Sequence, residues 1–294
     1  MSLSEARHDP ASARGRVVEP FGPSSLIWRY LGDVRYQVGA RVATTLQVMH
    51  PAIGASVADP DLSVFFTEPI ARVRRSTPLI MGVVYDGKAS HDTADELRRR
   101  HEGVKGVDEN GKRYHALDPE VFYWAHATFV YLLFASIEHF HARQPTPAEL
   151  ERLYQECCDW YRLYGLSGRP MPADLAGFRA YLDRMIADEL TATETALRGK
   201  AMFGNPRTIP QDEMPDWLWR IVAPPAFGFV NFVSRGLMPP LVRDKMDYPW
   251  TDADQRRFRR VAWVLRTILP KLPRRLRYGT EARRAFQRSG WPSR

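Results

Sequence analysis

DPEVFYWAHATFVYLLFASIEHF, residues Asp118 to Phe140, is the stretch whose reading decides the fold. Asp118 can accept a free backbone N–H as N-cap, and Pro119 stands at the first helical position, where its missing N–H costs nothing. A helix is therefore predicted from Pro119 to about His141. His126 sits inside it among Phe122, Trp124, Phe129 and Val130, where an imidazole is costly without a partner. Two more histidines lie just upstream. His101 closes the arginine run RRRH, and His115 falls in what reads as a loop.

Working outward, Thr146-Pro147-Ala148-Glu149 opens the next helix in the same way, and Pro172 to Arg198 reads as a further long one. Upstream, Asp33 to Met49 has apolar residues at helical spacing, and His50-Pro51 marks a boundary because a residue before proline disfavours helical geometry. Pro60 to Arg75 reads as another helix. STPLIMGVVYDGKASHDTADELRRR, from Ser76, holds a short β-branched run, an Asp86-Gly87 turn and a helix that Asp92 caps. At most one strand is expected. The pattern predicts an all-α protein: a loose N-terminal arm at 1–22, one large helical domain at 23–285 and a basic tail at 286–294.

With 294 residues, 44% hydrophobic and 12% aromatic, the chain can bury a substantial core. Its two cysteines, Cys157 and Cys158, are adjacent and form neither a zinc pair nor a disulfide framework, so a reducing, cytoplasmic setting is expected. MSLSEARHDPASARGRVVEP contains no apolar run of the signal-peptide kind, which argues against secretion. Charge is unevenly placed. Residues 255–294 carry thirteen Lys or Arg against the single acid Glu281, a local +12 within a total of +8. QRRFRRVAWVLRTILPKLPRRLRYG interleaves that charge with Phe258, Val261, Val264, Leu265, Ile268 and Leu269 at helical spacing. Such a segment suits either packing on the body or peripheral contact with an anionic membrane. No nucleic-acid reading motif accompanies the charge. Between Arg220 and Arg235 the chain is uncharged but contains Pro224-Pro225 and is shorter than the roughly twenty apolar residues a spanning helix needs. It reads as a core helix, an interfacial segment or the wall of an apolar cavity.

Several chemistries are excluded by spacing. Within the helical domain only Glu138 and His141 have the E-x-x-H interval, the other instance being Glu5 and His8 in the N-terminal arm, so a di-iron bundle is not encoded. H-E-x-x-H and G-x-S-x-G are absent. One imidazole in an aromatic helix, a second one loop upstream and arginines beside it are the parts of a haem site, since axial imidazoles bind iron and guanidinium groups pair with propionates. On the residues alone, a hydrogen-bonded core histidine explains His126 as well.

The order of landmarks resembles the family of the fungal mycophenolic-acid pathway oxygenase and the bacterial latex-clearing rubber oxygenases. It runs through TTLQVMHPAIGASV (Thr44–Val57), RVRRSTPLIMGVVYDG (Arg72–Gly87) and R-x-x-H-x-x-V-x-G (Arg98, His101, Val104, Gly106). It continues through Asp108–Phe140, then YGLSGRPMP, and closes on LPRRLRYG, covering about Ser25 to Arg284. The resemblance implies a largely helical haem b protein that uses dioxygen on a hydrophobic organic substrate. It implies His126 as proximal axial ligand and His101 and Arg98 as distal residues. Rubber oxygenases carry lysine where this chain has His101, which leaves the reaction type open. Tyr114 is a further pocket candidate, His50 faces either the haem or a helix end, and Trp124, on another helix face, is expected to pack. His139 and His141 read as solvated, and Trp217 to Val242 as part of an apolar substrate cavity. The alternative function is a non-catalytic bis-histidine haem or membrane-surface protein.

Overall fold

The computed structural model describes residues 18–291. Most of the expected N-terminal arm and the last three residues of the tail lie outside the described residues. The fold is all-α. The chain runs through α1 (Leu26–Tyr30), α2 (Val34–Gln37), α3 (Ala40–Val48), α4 (Pro51–Ala58), α5 (Pro69–Tyr85) and α6 (Ser90–Arg99). A hairpin of β1 (Lys105–Val107) and β2 (Arg113–His115) follows. The rest is helical: α7 (Pro119–Phe140), α8 (Pro147–Arg162), α9 (Leu175–Arg184), α10 (Glu194–Gly204), α11 (Asp216–Leu237), α12 (Pro240–Lys245), α13 (Asp252–Thr267), α14 (Arg274–Arg277) and α15 (Thr280–Arg288).

The caps read from sequence form as expected. The Asp118 carboxylate accepts from Glu120 N, and Thr146 with Glu149 closes a reciprocal capping box. The Pro119–Phe140 helix buries residues on every side, from Phe122, Tyr123 and Trp124 to Leu133, Ile137 and Phe140. It is long and apolar enough to cross a membrane, yet 67% of its most apolar window is buried inside the protein, as a core helix is. Helices α2, α3, α8, α11 and α13 pack around it. At its C-terminal end lies a buried ion pair. Asp33 caps α2 and holds Arg35 through two bonds, Arg35 Nε to Oδ1 at 2.8 Å and Nη2 to Oδ2 at 2.6 Å. Arg35 Nη1 also reaches the Phe140 carbonyl at 3.2 Å, while Asp33 bridges backbone to Tyr278. Breaking such a pair would strand a charge in the interior, at about 3–5 kcal/mol. It therefore fastens the start of the described chain, the end of α7 and the C-terminal segment in one place. Packing runs to both described ends, with Val18, Phe21 and Phe286 in the core and Trp291 stacked on Trp28.

Several local expectations are corrected. The β-branched run after Ser76 is not a strand, because α5 continues through it to Tyr85. Pro78 lies inside that helix at an exposed position, where the carbonyl it leaves without a donor meets water. The helix expected from Pro60 begins only at Pro69, since Asp59 turns the chain by accepting from Asp61 N. The sheet lies instead at His115, which belongs to β2 and pairs with Lys105.

The single long helix expected from Pro172 to Arg198 is two helices joined by a π-turn at Met185–Glu189. Lys245 captures the loosened carbonyls of Ile186, Ala187 and Leu190, each at 2.8 Å, and Thr193 restarts the helix by capping Ala196. Likewise Asp33 to Met49 splits at Gly39, where a Cβ would meet methyl carbons of Leu132 and Leu237 at 2.6 Å.

His139 and His141 are not solvated. His139 is half-buried, and His141, 7% exposed, packs edge-on against Tyr30 at 5.0 Å. Burial, with Arg35 and Arg277 nearby and Asp33 opposing them, pushes the His141 imidazole down to about 3. The unfolded chain takes up a proton below about pH 6.5 that folded His141 refuses, so stability is full above that pH and declines toward pH 3. The limiting slope is about 1.4 kcal/mol per pH unit. Between pH 7 and pH 5, H141Q should lose about 1–2 kcal/mol less than the parent in urea titrations. Parallel losses would refute the assignment.

Candidate functional site

His126 projects from the middle of α7 into an aromatic box. Its ring lies 4.7 Å from Trp160, 5.3 Å from Tyr161, 6.0 Å from Tyr164 and 6.2 Å from Tyr123. Nε2 is 3.1 Å from the Cys157 carbonyl. A carbonyl only accepts, so Nε2 carries the proton and Nδ1 keeps its lone pair. That Nδ1 is buried and has no partner. Burial lowers the imidazole to about 3, against the small opposing effect of the Cys157 bond, so the ring is neutral in the physiological range.

His101, two residues past the end of α6, has the complementary arrangement. Its Nδ1 is 2.8 Å from the Leu97 carbonyl, so Nδ1 is the protonated nitrogen and Nε2 the bare one. Burial lowers its pKa, the Leu97 bond opposes this, and the Arg72 cation adds to it. Its ring contacts Phe122 edge-on at 5.7 Å. Phe122 in turn lies 5.1 Å from Tyr164, the residue beside His126. The two histidines thus stand on either side of a Phe122–Tyr164 pair.

The other expected residues distribute more widely. Arg98 points to Asp95 and Glu102, 3.4 Å from each, and is one-third exposed. Trp124 is fully buried and donates to the Leu46 carbonyl at 3.1 Å, a packing role. His50 precedes α4; its Nδ1 is buried without a partner, and burial lowers its pKa. Tyr114 lies across Gly106 in the hairpin, and burial, with Asp59 and Asp108 nearby, raises its pKa, keeping the phenol protonated. His115 is structural: its Nδ1 accepts from Leu117 N and its Nε2 donates to the Glu102 carbonyl.

Two features escaped sequence reasoning. Arg72 reaches the surroundings of His101 and lies over Phe65, although nothing in RVRRS distinguishes it from its neighbours. A cavity on the Trp217–Val242 segment carries the cations Arg41, Lys200 and Arg235 in its lining beside Met238 and Tyr248. A lone arginine in the otherwise uncharged GARVATTLQV was its signal.

Among the described residues no three His, Cys, Asp or Glu side chains converge as a metal site. An iron would therefore need a macrocycle to supply most of its donors, with imidazole at an axial position. The donors fit that demand singly: each histidine has one nitrogen fixed by a backbone carbonyl, which leaves the other unprotonated, and that of His126 is buried without a partner. Phe122 and Tyr164 would both have to turn aside for the two to hold one macrocycle.

The sequence matches the family described as ER-bound oxygenase mpaB/B'/rubber oxygenase, catalytic domain, over residues 28–267. The chain belongs to this oxygenase family. Neither the curated proteins nor the solved structures yield a match to it.

The hairpin supplies a local test. A Cβ on Gly106 would sit 2.8 Å from the Tyr114 hydroxyl and 3.1 Å from its ring. G106A should destabilise the protein by about 1–3 kcal/mol in urea and shift the ultraviolet titration of Tyr114. An unchanged midpoint would mean that Tyr114 is not held there.

Proposed function

We propose that this protein is a haem b-dependent oxygenase that acts with dioxygen on a hydrophobic organic substrate, with His126 and His101 as the residues that would hold the haem. The observation that carries the reading is the pair of neutral, carbonyl-anchored imidazoles at the two histidine motif positions. The haem would supply the redox chemistry with dioxygen. The chain's part is to hold, orient and exclude. The Cys157 and Leu97 carbonyls fix the two rings and make each bare nitrogen more basic. Trp160, Tyr161 and Tyr164 keep water from His126. Arg98 is the mobile cation: its two pairs are long and partly exposed, hence weak, so it can leave them for charge developing near His101. Tyr114, held protonated, serves as a neutral donor.

Protein made with adequate haem supply should be red and give a b-type pyridine haemochrome, since no C-x-x-C-H attachment motif exists. H126A should lose haem. H101A should keep it and move from low-spin toward high-spin. R98A should keep the resting spectrum and slow oxygen-dependent turnover about 10²- to 10³-fold. A colourless protein, or H126A with an unchanged spectrum, would sink the assignment. A reduced protein that stays six-coordinate in air and turns over no alkene would indicate the non-catalytic carrier instead.

A second reading concerns where the chain works, and it rests on α13. That helix buries Phe258, Ala262 and Leu265, yet exposes Trp263 and Val264 beside Arg256, Arg259 and Arg260. Ile268, Leu272 and Leu276 continue the exposed apolar series. Arginines around an exposed tryptophan suit the interface of an anionic membrane, where each cation contributes about 1 kcal/mol. Binding to phosphatidylserine vesicles should fall steeply with salt and with W263A. Absence of binding at low salt would return the helix to a packing role alone.

A further inference from the structure

The cationic cavity lies apart from the histidines. It measures about 320 Å³ and opens between the first turn of α3, the α10 helix, the C-terminal half of α11 and Tyr248. Arg41, Lys200, Asn231, Ser234 and Arg235 line it with that tyrosine. Four polar atoms of this wall are buried without partners: Arg41 Nη1, Asn231 Oδ1, Ser234 Oγ and Arg235 Nε. Ser234 is only 1% exposed. Asn231 donates its Nδ2 to the Phe203 carbonyl at 2.9 Å, which orients the amide and leaves Oδ1 bare. Arg41 is held flat over the Phe203 ring at 4.0 Å.

Charge points the same way. Lys200 is engaged by the Met246 and Asp247 carbonyls, each at 2.8 Å, and lies 3.8 Å from the Asp247 carboxylate. Among the described residues, neither Arg41 nor Arg235 has a carboxylate within ion-pair distance. Burial lowers Arg41 to about 10, with Tyr248 opposing and Arg235 adding to the effect, so it stays charged at neutral pH. Buried donors without acceptors are destabilising, and several converging on one cavity are a complete recognition set for what would occupy it.

We propose that this cavity binds the oxyanion of an organic ligand, a carboxylate or a phosphate, between Arg41 and Arg235. Ser234 donates to the same anion, and Asn231 Oδ1 accepts from a hydroxyl on the ligand. The size lies at the small end of ligand pockets. The inference does not depend on haem and holds for the protein as isolated.

Thermal unfolding and calorimetric titration of the full chain, with inorganic phosphate and with salicylate against chloride at equal ionic strength, test it. Saturable stabilisation beyond chloride is expected from at least one. Phosphate alone would mark a phosphate ligand, salicylate alone a hydroxyl-bearing carboxylate, and both an oxyanion site of broad tolerance. Affinity should drop about tenfold or more in R235Q and in S234A, whose unliganded midpoints should equal or exceed the parent's because each removes an unpartnered buried donor. R41Q should lose binding too, and the other two variants keep the test valid if it does not fold. No stabilisation beyond chloride, or undiminished affinity in R235Q and S234A, would overturn the proposal.

Discussion

A 22-residue helix without a polar face cannot remain in water, and α7 leaves the rest of this chain little choice but to surround it. The helices around it each bring a covering surface, and the polar groups on α7 and beside it are nearly all answered locally. Thr128 donates to the Ala125 carbonyl, Ser136 to that of Leu133, Tyr131 to that of Leu237 and Trp124 to that of Leu46. Against that background the bare Nδ1 of His126 is an exception. Among the described residues of α7 it is the one buried side-chain polar atom left without a partner, and that supports its proposed role toward a ligand.

The same logic separates two regions of the interior. Around the histidines, aromatic rings exclude water and the imidazoles stay neutral, so the available chemistry is that of lone pairs. Around Arg41 the interior keeps positive charge despite burial, so the available chemistry is attraction of anions. Helix α3 joins them, with Arg41 in its first turn and Gln47, near its end, bonded to Ala125 and Thr128 of α7.

Much of this was legible in the residues. The caps at Asp118 and Thr146, the extent of α7 and the helical class follow from side chains that act on their own backbone neighbours. The failures share a different cause, because each depends on a residue distant in sequence. The break after Arg184 is stabilised by Lys245, and the side chains of Leu132 and Leu237 leave no room for a Cβ at Gly39. His141 reads as solvated until Tyr30 and Arg35 close over it. For the site, family motifs located the two histidines, but not the Phe122–Tyr164 pair between them or the outward turn of Arg98. Those depend on rotamers and packing that spacing does not encode.

Pro224 and Pro225, both inside α11, limit how far that helix can go. Neither has an N–H to give, so the carbonyls one turn earlier, at Arg220 and Ile221, lose their helical donors. Both residues are exposed, and there water answers those oxygens without cost. In hydrocarbon each would go dry, at several kcal/mol. The exposed Trp217, Ile221 and Phe229 therefore lie on a surface whose backbone is answered only while it stays wet. Any apolar partner that covered it would have to bring donors of its own for those two oxygen atoms, or leave them dry.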